Sequence, residues 1–196
     1  MDGDKFTIKA QEAIQKAQEI AAEKQHQQID ALHLLIALLQ DREGVVDLIL
    51  KKIGIDPEEV RQKTDKILLS LPRVFGQTSF GQAYLTQDFA RVMDQSKKEA
   101  QNMGDEFISV EHLFLAILAT QNRAKEALLG VDYSQVLKML AEVRGGQRVT
   151  DQTPESKYQI LEKYTRNLIQ EAKDKKLDPV IGREEEIRRV IQVISR

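Results

Sequence analysis

Three histidines, one acidic turn and two short basic runs are the side chains of this sequence that could carry chemistry. His26, His33 and His112 can hydrogen-bond, move a proton or ligate a metal. The stretch Gly104-Asp105-Glu106-Phe107-Ile108-Ser109-Val110-Glu111 gathers the acids Asp105, Glu106 and Glu111. Lys173-Asp174-Lys175-Lys176 and Arg188-Arg189 could contact phosphate groups. The first of these runs falls in the last turn of a helix, where cations answer the macrodipole, so it reads as a solvated face. With no cysteine, thiol catalysis, disulfides and cysteine-based zinc sites are excluded. No G-x-x-x-x-G-K-[ST], H-E-x-x-H, G-x-G-x-x-G or G-x-S-x-G occurs. The chain is therefore not expected to be an enzyme or to hold a cofactor or metal by itself.

Charge and composition narrow the partners. The 196 residues carry 29 basic and 31 acidic side chains, a formal net charge of −2, which gives no reason to expect a polyanion. Aromatics make up 5% of the residues, too few for base-stacking platforms, and no nucleic-acid partner is expected. Met1-Asp2-Gly3-Asp4 starts acidic where a secretory signal would start basic. The longest uncharged apolar runs, Leu34–Leu39 and Leu113–Ala119, are too short to span a bilayer. A cytoplasmic location without membrane contact is the expectation.

The elements that must position these side chains read as helices throughout. Gly44, Gly54, Gly104, Gly130 and Gly145-Gly146 close or separate periodic apolar stretches. Asp56-Pro57-Glu58-Glu59 places a polar cap before proline, with glutamate three residues on. Phe6, Ala10, Ala13, Ile14, Ala17, Ile20 and Ala21 form one helical stripe, and Ile187, Val190, Ile191 and Ile194 another. No stretch alternates with period two. The fold class is all-α.

An internal repeat organises most of the chain. A shift of 79 residues lays Phe6-Thr7 on Leu85-Thr86 and Ile29-Asp30 on Ile108-Ser109. The same shift lays His33-Leu34-Leu35-Ile36-Ala37-Leu38-Leu39 on His112-Leu113-Phe114-Leu115-Ala116-Ile117-Leu118. Beyond a three-residue deletion, Ile53-Gly54-Ile55-Asp56 meets Leu129-Gly130-Val131-Asp132. Matched caps at Thr7/Thr86, Asp30/Ser109 and Asp56/Asp132 go beyond generic amphipathicity. Each repeat, about 6–71 and 85–144, is expected to hold four helices. In the first these run near 7–24, 30–40, 45–53 and 57–71, and in the second near 86–103, 110–120, 123–129 and 134–144. The second helix of each is apolar on nearly every side, hence central and buried. Two such repeats should pack as one pseudo-symmetric, eight-helix domain over 1–145, with a groove along the seam. Residues 146–153 read as a flexible linker. A helix with the stripe Leu161, Tyr164, Leu168 and Ala172 begins at 154, and 154–196 reads as a linker helix and the start of a second domain.

The repeat also sharpens the chemistry. His33 and His112 are equivalent, so they could meet at the seam around a metal. The commoner role for a histidine there is a structural hydrogen bond. The counterparts of Asp105, Glu106 and Glu111 are His26, Gln27 and Leu32, so the acids belong to one half alone. The macrodipole accounts for Glu111 in the first turn of its helix. Asp105 and Glu106 lack such a reason and become candidates for partner contact. Phe75 and Phe80 of the inter-repeat segment are candidate anchors or packed residues.

The doubled repeat, with F-T near its start and H-L-L-x-A-L-L in its second helix, resembles the Clp amino-terminal domain. Gly145-Gly146-Gln147-Arg148-Val149-Thr150 and Leu161-Glu162-Lys163-Tyr164-Thr165 resemble the branch of ClpB-type ATP-dependent protein disaggregases. Leu177-Asp178-Pro179-Val180-Ile181-Gly182-Arg183 through Arg189 is similar to the entry into that family's first AAA+ module. The resemblance implies an amino-terminal module of a hexameric machine, working with an Hsp70-type system and threading aggregated polypeptide with ATP and magnesium. It implies substrate-handling roles at Thr7, Asp105 and Glu111. It also implies an adenine-side segment at Val180, Ile181 and Gly182, incomplete without a phosphate loop. Where relatives carry apolar groove residues, this sequence has Gln95, Glu99 and His112, which leaves Phe107 and Leu113 as candidate substrate contacts. The alternative the resemblance leaves open is adaptor docking, as in ClpA- and ClpC-type unfoldases.

Overall fold

Helices begin in this chain where a short polar side chain can accept a backbone N–H that the first turn leaves free. The computed structural model describes residues 5–73, 84–145, 147–154 and 182–194. They belong to two units, Met1–Leu161 and Glu162–Arg196. In the first unit α1 (Ile8–Glu23), α2 (Ala31–Gln40), α3 (Val45–Lys52) and α4 (Pro57–Leu68) form one repeat. The other repeat is α5 (Gln87–Met103), α6 (Val110–Ala119), α7 (Ala124–Ala127) and α8 (Tyr133–Arg144). Thr7 Oγ1 accepts from the Ala10 N–H at 3.2 Å and Thr86 Oγ1 from the Phe89 N–H at 3.1 Å, one bond made twice at equivalent places. Asp56 and Asp132 cap α4 and α8 in the same way.

The repeats are stitched together reciprocally. β1 (Gln28–Ile29) pairs in parallel with β2 (Tyr84–Leu85), and Phe6 bridges Ile108. The Thr86 N–H donates to Ile29 O at 3.0 Å, and the Thr7 N–H to Ile108 O at 2.9 Å. The 79-residue shift carries Phe6, Thr7 and Ile29 onto Leu85, Thr86 and Ile108. Each half therefore gives its first residues to the turn between the first two helices of the other, the signature of an isologous two-fold. Among the described residues these strands are the one departure from an all-helical reading, and two residues cannot display a period-two pattern.

Helices α2 and α6 occupy the centre. Every residue from Ala31 to Leu39 and from Glu111 to Leu118 is buried, as their all-round apolar sequences require. α1 packs along α2, α5 along α6, and α2 meets α6 across the seam in one continuous core. Two boundaries differ from the sequence reading. α4 stops at Leu68 because the chain must leave the α region before Pro72. α7 is a single turn because the three-residue deletion falls there, and Asn122 Oδ1 caps it by accepting from the Lys125 N–H at 3.3 Å.

The stretch read as a linker is held against the fold over its described residues 147–154. Val149 is buried, its carbonyl accepts from the Glu106 N–H at 2.9 Å, and Gln152 O accepts from the Ile8 N–H at 3.0 Å. In the second unit α9 (Glu184–Ile194) carries Ile187, Val190 and Ile191 exposed. Phe75, Phe80, Lys173–Lys176 and the stripe from Leu161 to Ala172 lie outside the described residues.

One turn shows how the halves diverge under the same geometry. α5 ends on Gly104 at φ +70, and the Asp105 N–H reaches back to Ala100 O at 2.9 Å. Its counterpart is Gln25 at φ +58, with the His26 N–H on Ala21 O at 2.9 Å. A left-handed conformation costs an L-residue about 1–2 kcal/mol, partly offset for glycine by its larger entropy loss. Gln25→Gly should therefore stabilise the domain by up to about 1 kcal/mol. Gly104→Ala should destabilise it by about 1–2 kcal/mol, since the new Cβ would meet only the Arg148 guanidinium at 3.6 Å, an ordinary contact, which leaves the backbone as the main cost. Urea midpoints of the two variants check both signs.

Candidate functional site

The cap of α6 sets the chemistry of the acidic turn. The His112 Nδ1 accepts from the Ser109 N–H at 3.0 Å, closing the first turn as a histidine version of the capping box. A backbone N–H can only donate, so Nδ1 is unprotonated and the ring's hydrogen sits on Nε2. That N–H donates to Asp105 Oδ2 at 2.9 Å. Asp105 also accepts from Arg144 Nη1 at 2.6 Å on Oδ2, and from the Val149 N–H at 2.8 Å on Oδ1. Arg144 turns its remaining donors to Glu111 Oε1, at 2.7 Å from Nη2 and 3.1 Å from Nε. The side chains are 0% exposed for Asp105 and His112, 1% for Glu111 and 4% for Arg144.

The acids are thus buried, paired and shared between the α5–α6 turn, the start of α6, the end of α8 and the segment around Val149. Burial alone would raise the Asp105 pKa. Hydrogen bonds from His112, Val149 and Arg144 outweigh it and hold the carboxyl at about 2. Burial would lower the Arg144 pKa, but Glu111 and Asp105 raise it. The cluster has two carboxylates for one guanidinium, and Glu111 Oε2 has no hydrogen-bond partner. The helix N-terminus, where Glu111 sits at the second position, supplies the remaining compensation.

Repeat one faces its capping histidine with a second imidazole in place of a carboxylate. The His33 Nδ1 accepts from the Asp30 N–H at 2.9 Å, so its Nε2–H donates to His26 Nδ1 at 2.8 Å. Burial, then the neighbouring His26, press His33 down to about 4, and burial also lowers His26. Where Glu111 and Arg144 pair in repeat two, repeat one buries Leu32 and Leu68. Both ring nitrogens of His33 and His112 are engaged within their own halves, so the two do not converge on a metal. Among the described residues no group of three or more His, Asp or Glu could hold one.

The remaining sequence candidates fall as follows. Thr7 is buried at the α1 cap, its N–H on Ile108 O, so it stands beside the acidic turn. Phe107 is half-buried in that turn and Leu113 is fully buried in the core. Gln95 Nε2 donates to Glu99 Oε1 at 2.7 Å and Tyr133 Oη to Glu99 Oε2 at 2.8 Å, so the positions expected to line an apolar groove hold a polar chain. Burial and that carboxylate push Tyr133 up to about 12. Gly182 is exposed in the second unit at φ +77, while Val180 and Ile181 lie outside the described residues.

An apolar groove does exist, on the other half. A recess of about 350 Å³ has Ala13, Leu38, Val46 and Val110 among its lining, with Lys9, Glu12 and Lys16 as charged neighbours. Val110 comes from α6, immediately before Glu111, so the recess draws on both repeats. Sequence reasoning missed Arg144 and Val149. The first left a signal: Leu32 and Leu68 change together into Glu111 and Arg144, an ion pair written across the repeat.

Two four-helix repeats joined by reciprocal strand pairing, with histidine-capped central helices, define a Clp-type amino-terminal module. Residues 5–131 match the family described as Clp repeat (R) N-terminal domain, and the chain belongs to it. It is 40% identical to chaperone protein ClpB of Bacillus cereus over the whole of this chain and 23% of that protein. With chaperone protein ClpB 1 of Synechococcus elongatus it shares 43% identity over 98% of this chain and 22% of that protein. The chain thus spans less than a quarter of these relatives. The Hsp104 N-terminal domain of Candida albicans has the same fold, with a TM-score of 0.68 and 20% identity over 76% of this chain and 98% of that one. Among the described residues no helix is long and apolar enough to cross a membrane.

Removing one partner of a buried ion pair costs about 3–5 kcal/mol, whereas replacing the pair by apolar residues is often neutral. Arg144→Leu should therefore destabilise by about that amount, and the triple variant Asp105→His/Glu111→Leu/Arg144→Leu, which installs the residues of repeat one, should recover most of it. Guanidinium unfolding of the wild type and the two variants decides, and equal losses for the single and triple variants would refute the network.

Acid should act in two windows. The His33 pKa is lowered in the fold, so its contribution is complete above its ordinary 6.5 and is lost as the pH falls through about 4. Asp105 contributes fully above 3.8 and loses its contribution as the pH falls through about 2. Unfolding midpoints measured against pH should decline in both windows. His33→Gln, which keeps an acceptor at the cap, should flatten the upper decline alone.

Proposed function

We propose that this module captures unfolded or aggregated polypeptide for an ATP-driven, hexameric protein disaggregase of the ClpB type that cooperates with an Hsp70-type chaperone. The observation that carries this reading is the recess between α1, α2, α3 and the start of α6, apolar within and charged at its rim. Such a surface takes apolar segments without demanding a sequence. Its small volume and the ordering cost of an unfolded chain keep affinity weak, which suits a site that must release what it catches. Asp105 and Glu111 are buried, so in this reading they are positioning residues. They fix the acidic turn and the first turn of α6, which brings Val110 to the recess. Thr7 does the same from α1. Nucleotide chemistry belongs to the ATPase modules of the full protein, where Val180, Ile181 and Gly182 would border the adenine.

Titrating a permanently unfolded, fluorescently labelled polypeptide against the chain tests the reading. Ala13→Glu, which sets a carboxylate in the recess, should weaken binding at least about tenfold, the effect of roughly 1.4 kcal/mol, with helicity unchanged. Asp105→Ala should weaken binding as well, together with a loss of stability. Equal affinity of wild type and Ala13→Glu overturns the assignment of the recess.

A further inference from the structure

The pseudo-two-fold relates the segment around Val149 in repeat two to a cavity in repeat one. In repeat two the segment from Gln147 to Gln152 lies across the α5–α6 turn. The Glu106 and Phe107 N–H groups donate to Val149 O at 2.9 and 3.4 Å, and the Val149 N–H donates to Asp105. Val149 itself is fully buried. The chain thereby fills an extended-peptide slot with its own backbone. In repeat one the counterpart of Val149 is Arg73, which is exposed. At the corresponding place is a cavity of about 270 Å³ whose lining includes His26, Gln27, Asp30, Leu71, Pro72 and Arg123.

Two donors on this cavity find no acceptor among the described residues. The cap at Asp30 fixes the His33 tautomer, which makes His26 Nδ1 an acceptor and places its hydrogen on Nε2. His26 is 6% exposed, and Nε2 is buried with no hydrogen-bond partner. A buried polar group left unpaired costs about 1–3 kcal/mol, so its retention needs a reason. The Gln27 N–H, counterpart of the Glu106 N–H that holds Val149, likewise donates to none of the described residues. Asp30 is already occupied as the α2 cap, accepting from the Leu32 N–H at 3.1 Å. What remains is a pocket offering N–H donors, an arginine and the apolar sides of Leu71 and Pro72.

We propose that this repeat-one cavity is a second docking slot, taking an extended segment of unfolded polypeptide whose backbone carbonyls accept from the Gln27 N–H and the His26 Nε2–H. It copies in trans what the Val149 carbonyl does in cis, with His26 as a donor where repeat two has the acceptor Asp105, and it rests on the capture function proposed above. This slot and the recess together would let one module hold two stretches of one client chain, raising avidity without new contacts at either site. The binding mode is strand addition to β1, where main-chain bonds supply affinity and sequence matters little.

Amide and imidazole NMR of the chain, titrated with the same unlabelled unfolded polypeptide, separates the two sites. Signals of Gln27 and His26 should shift together with those of Ala13 and Val46 around the recess. Two variants, Leu71→Trp and Gln28→Trp, fill the cavity from different lining residues and leave the backbone hydrogen bonds in place. In either variant the Gln27 shift should vanish while the recess signals still move, and Ala13→Glu should give the reverse pattern. Recess shifts without a Gln27 shift in the wild type, or a Gln27 shift that survives both variants, overturn the slot. A Gln27 shift without recess shifts would instead overturn the assignment of the recess and leave the slot standing.

Discussion

The rest of the structure depends on the exchange of backbone hydrogen bonds between the two repeats. Thr7 and Thr86 each cap a helix of their own half, yet each gives its own N–H to a carbonyl of the other half, on Ile108 and Ile29. A repeat alone would leave its first helix without this anchor and half of its central helix in water. Only the pair buries α2 and α6 together. The exchange also puts the α1 cap of one half next to the α5–α6 turn of the other. Thr7 and Asp105 lie far apart in sequence and share a site for this reason.

From that fixed frame a single change of residue propagates. The caps at Asp30 and Ser109 force the following histidine to present Nε2–H, so whatever faces it must accept. Repeat one answers with neutral His26. Repeat two answers with Asp105, a carboxylate with no exposed surface, and a buried charge must be compensated. Arg144 supplies the compensation where repeat one has Leu68, and Glu111 in turn balances Arg144 where repeat one has Leu32. The Val149 N–H takes the last face of Asp105 and draws the departing chain onto the domain. Of the three acids grouped in the sequence, Asp105 and Glu111 belong to one buried network, while Glu106 is exposed.

What could be read from sequence follows from the range of the forces involved. Caps, glycine C-termini and apolar periodicity are local, and they placed the eight helices of the double repeat to within a few residues. The repeat shift made α2 and α6 legible as the centre. Two-residue strands carry no periodicity, so β1 and β2 were invisible. Arg144 stands 33 residues from Glu111 and 39 from Asp105, at the end of an ordinary amphipathic helix, where a basic residue already has a local explanation. Val149 lay in a stretch whose polar neighbours and glycines argue for a loop, and one buried valine among them does not alter that composition. The seam was foreseen as a groove, but Gln95, Glu99 and Tyr133 make its repeat-two face polar. The apolar recess falls on the α1 side.

The network also limits how the acids can affect a bound polypeptide. With their carboxylates enclosed, Asp105 and Glu111 have no surface to offer a ligand, so any influence must pass through what they hold. Asp105 holds the α5–α6 turn, and with it the Ile108 carbonyl on which Thr7 and the start of α1 depend. Glu111 holds the first turn of α6, and Val110 beside it contributes to the recess. Both routes converge on the same place, where α1 and α6 meet across the two-fold. A loss of either acid therefore loosens the recess from opposite sides, while the helices, capped locally, remain formed. That separation of local helix formation from the geometry of the seam is what a two-repeat architecture provides. The caps make the helices, and the reciprocal bonds and one buried ion network set how the halves meet.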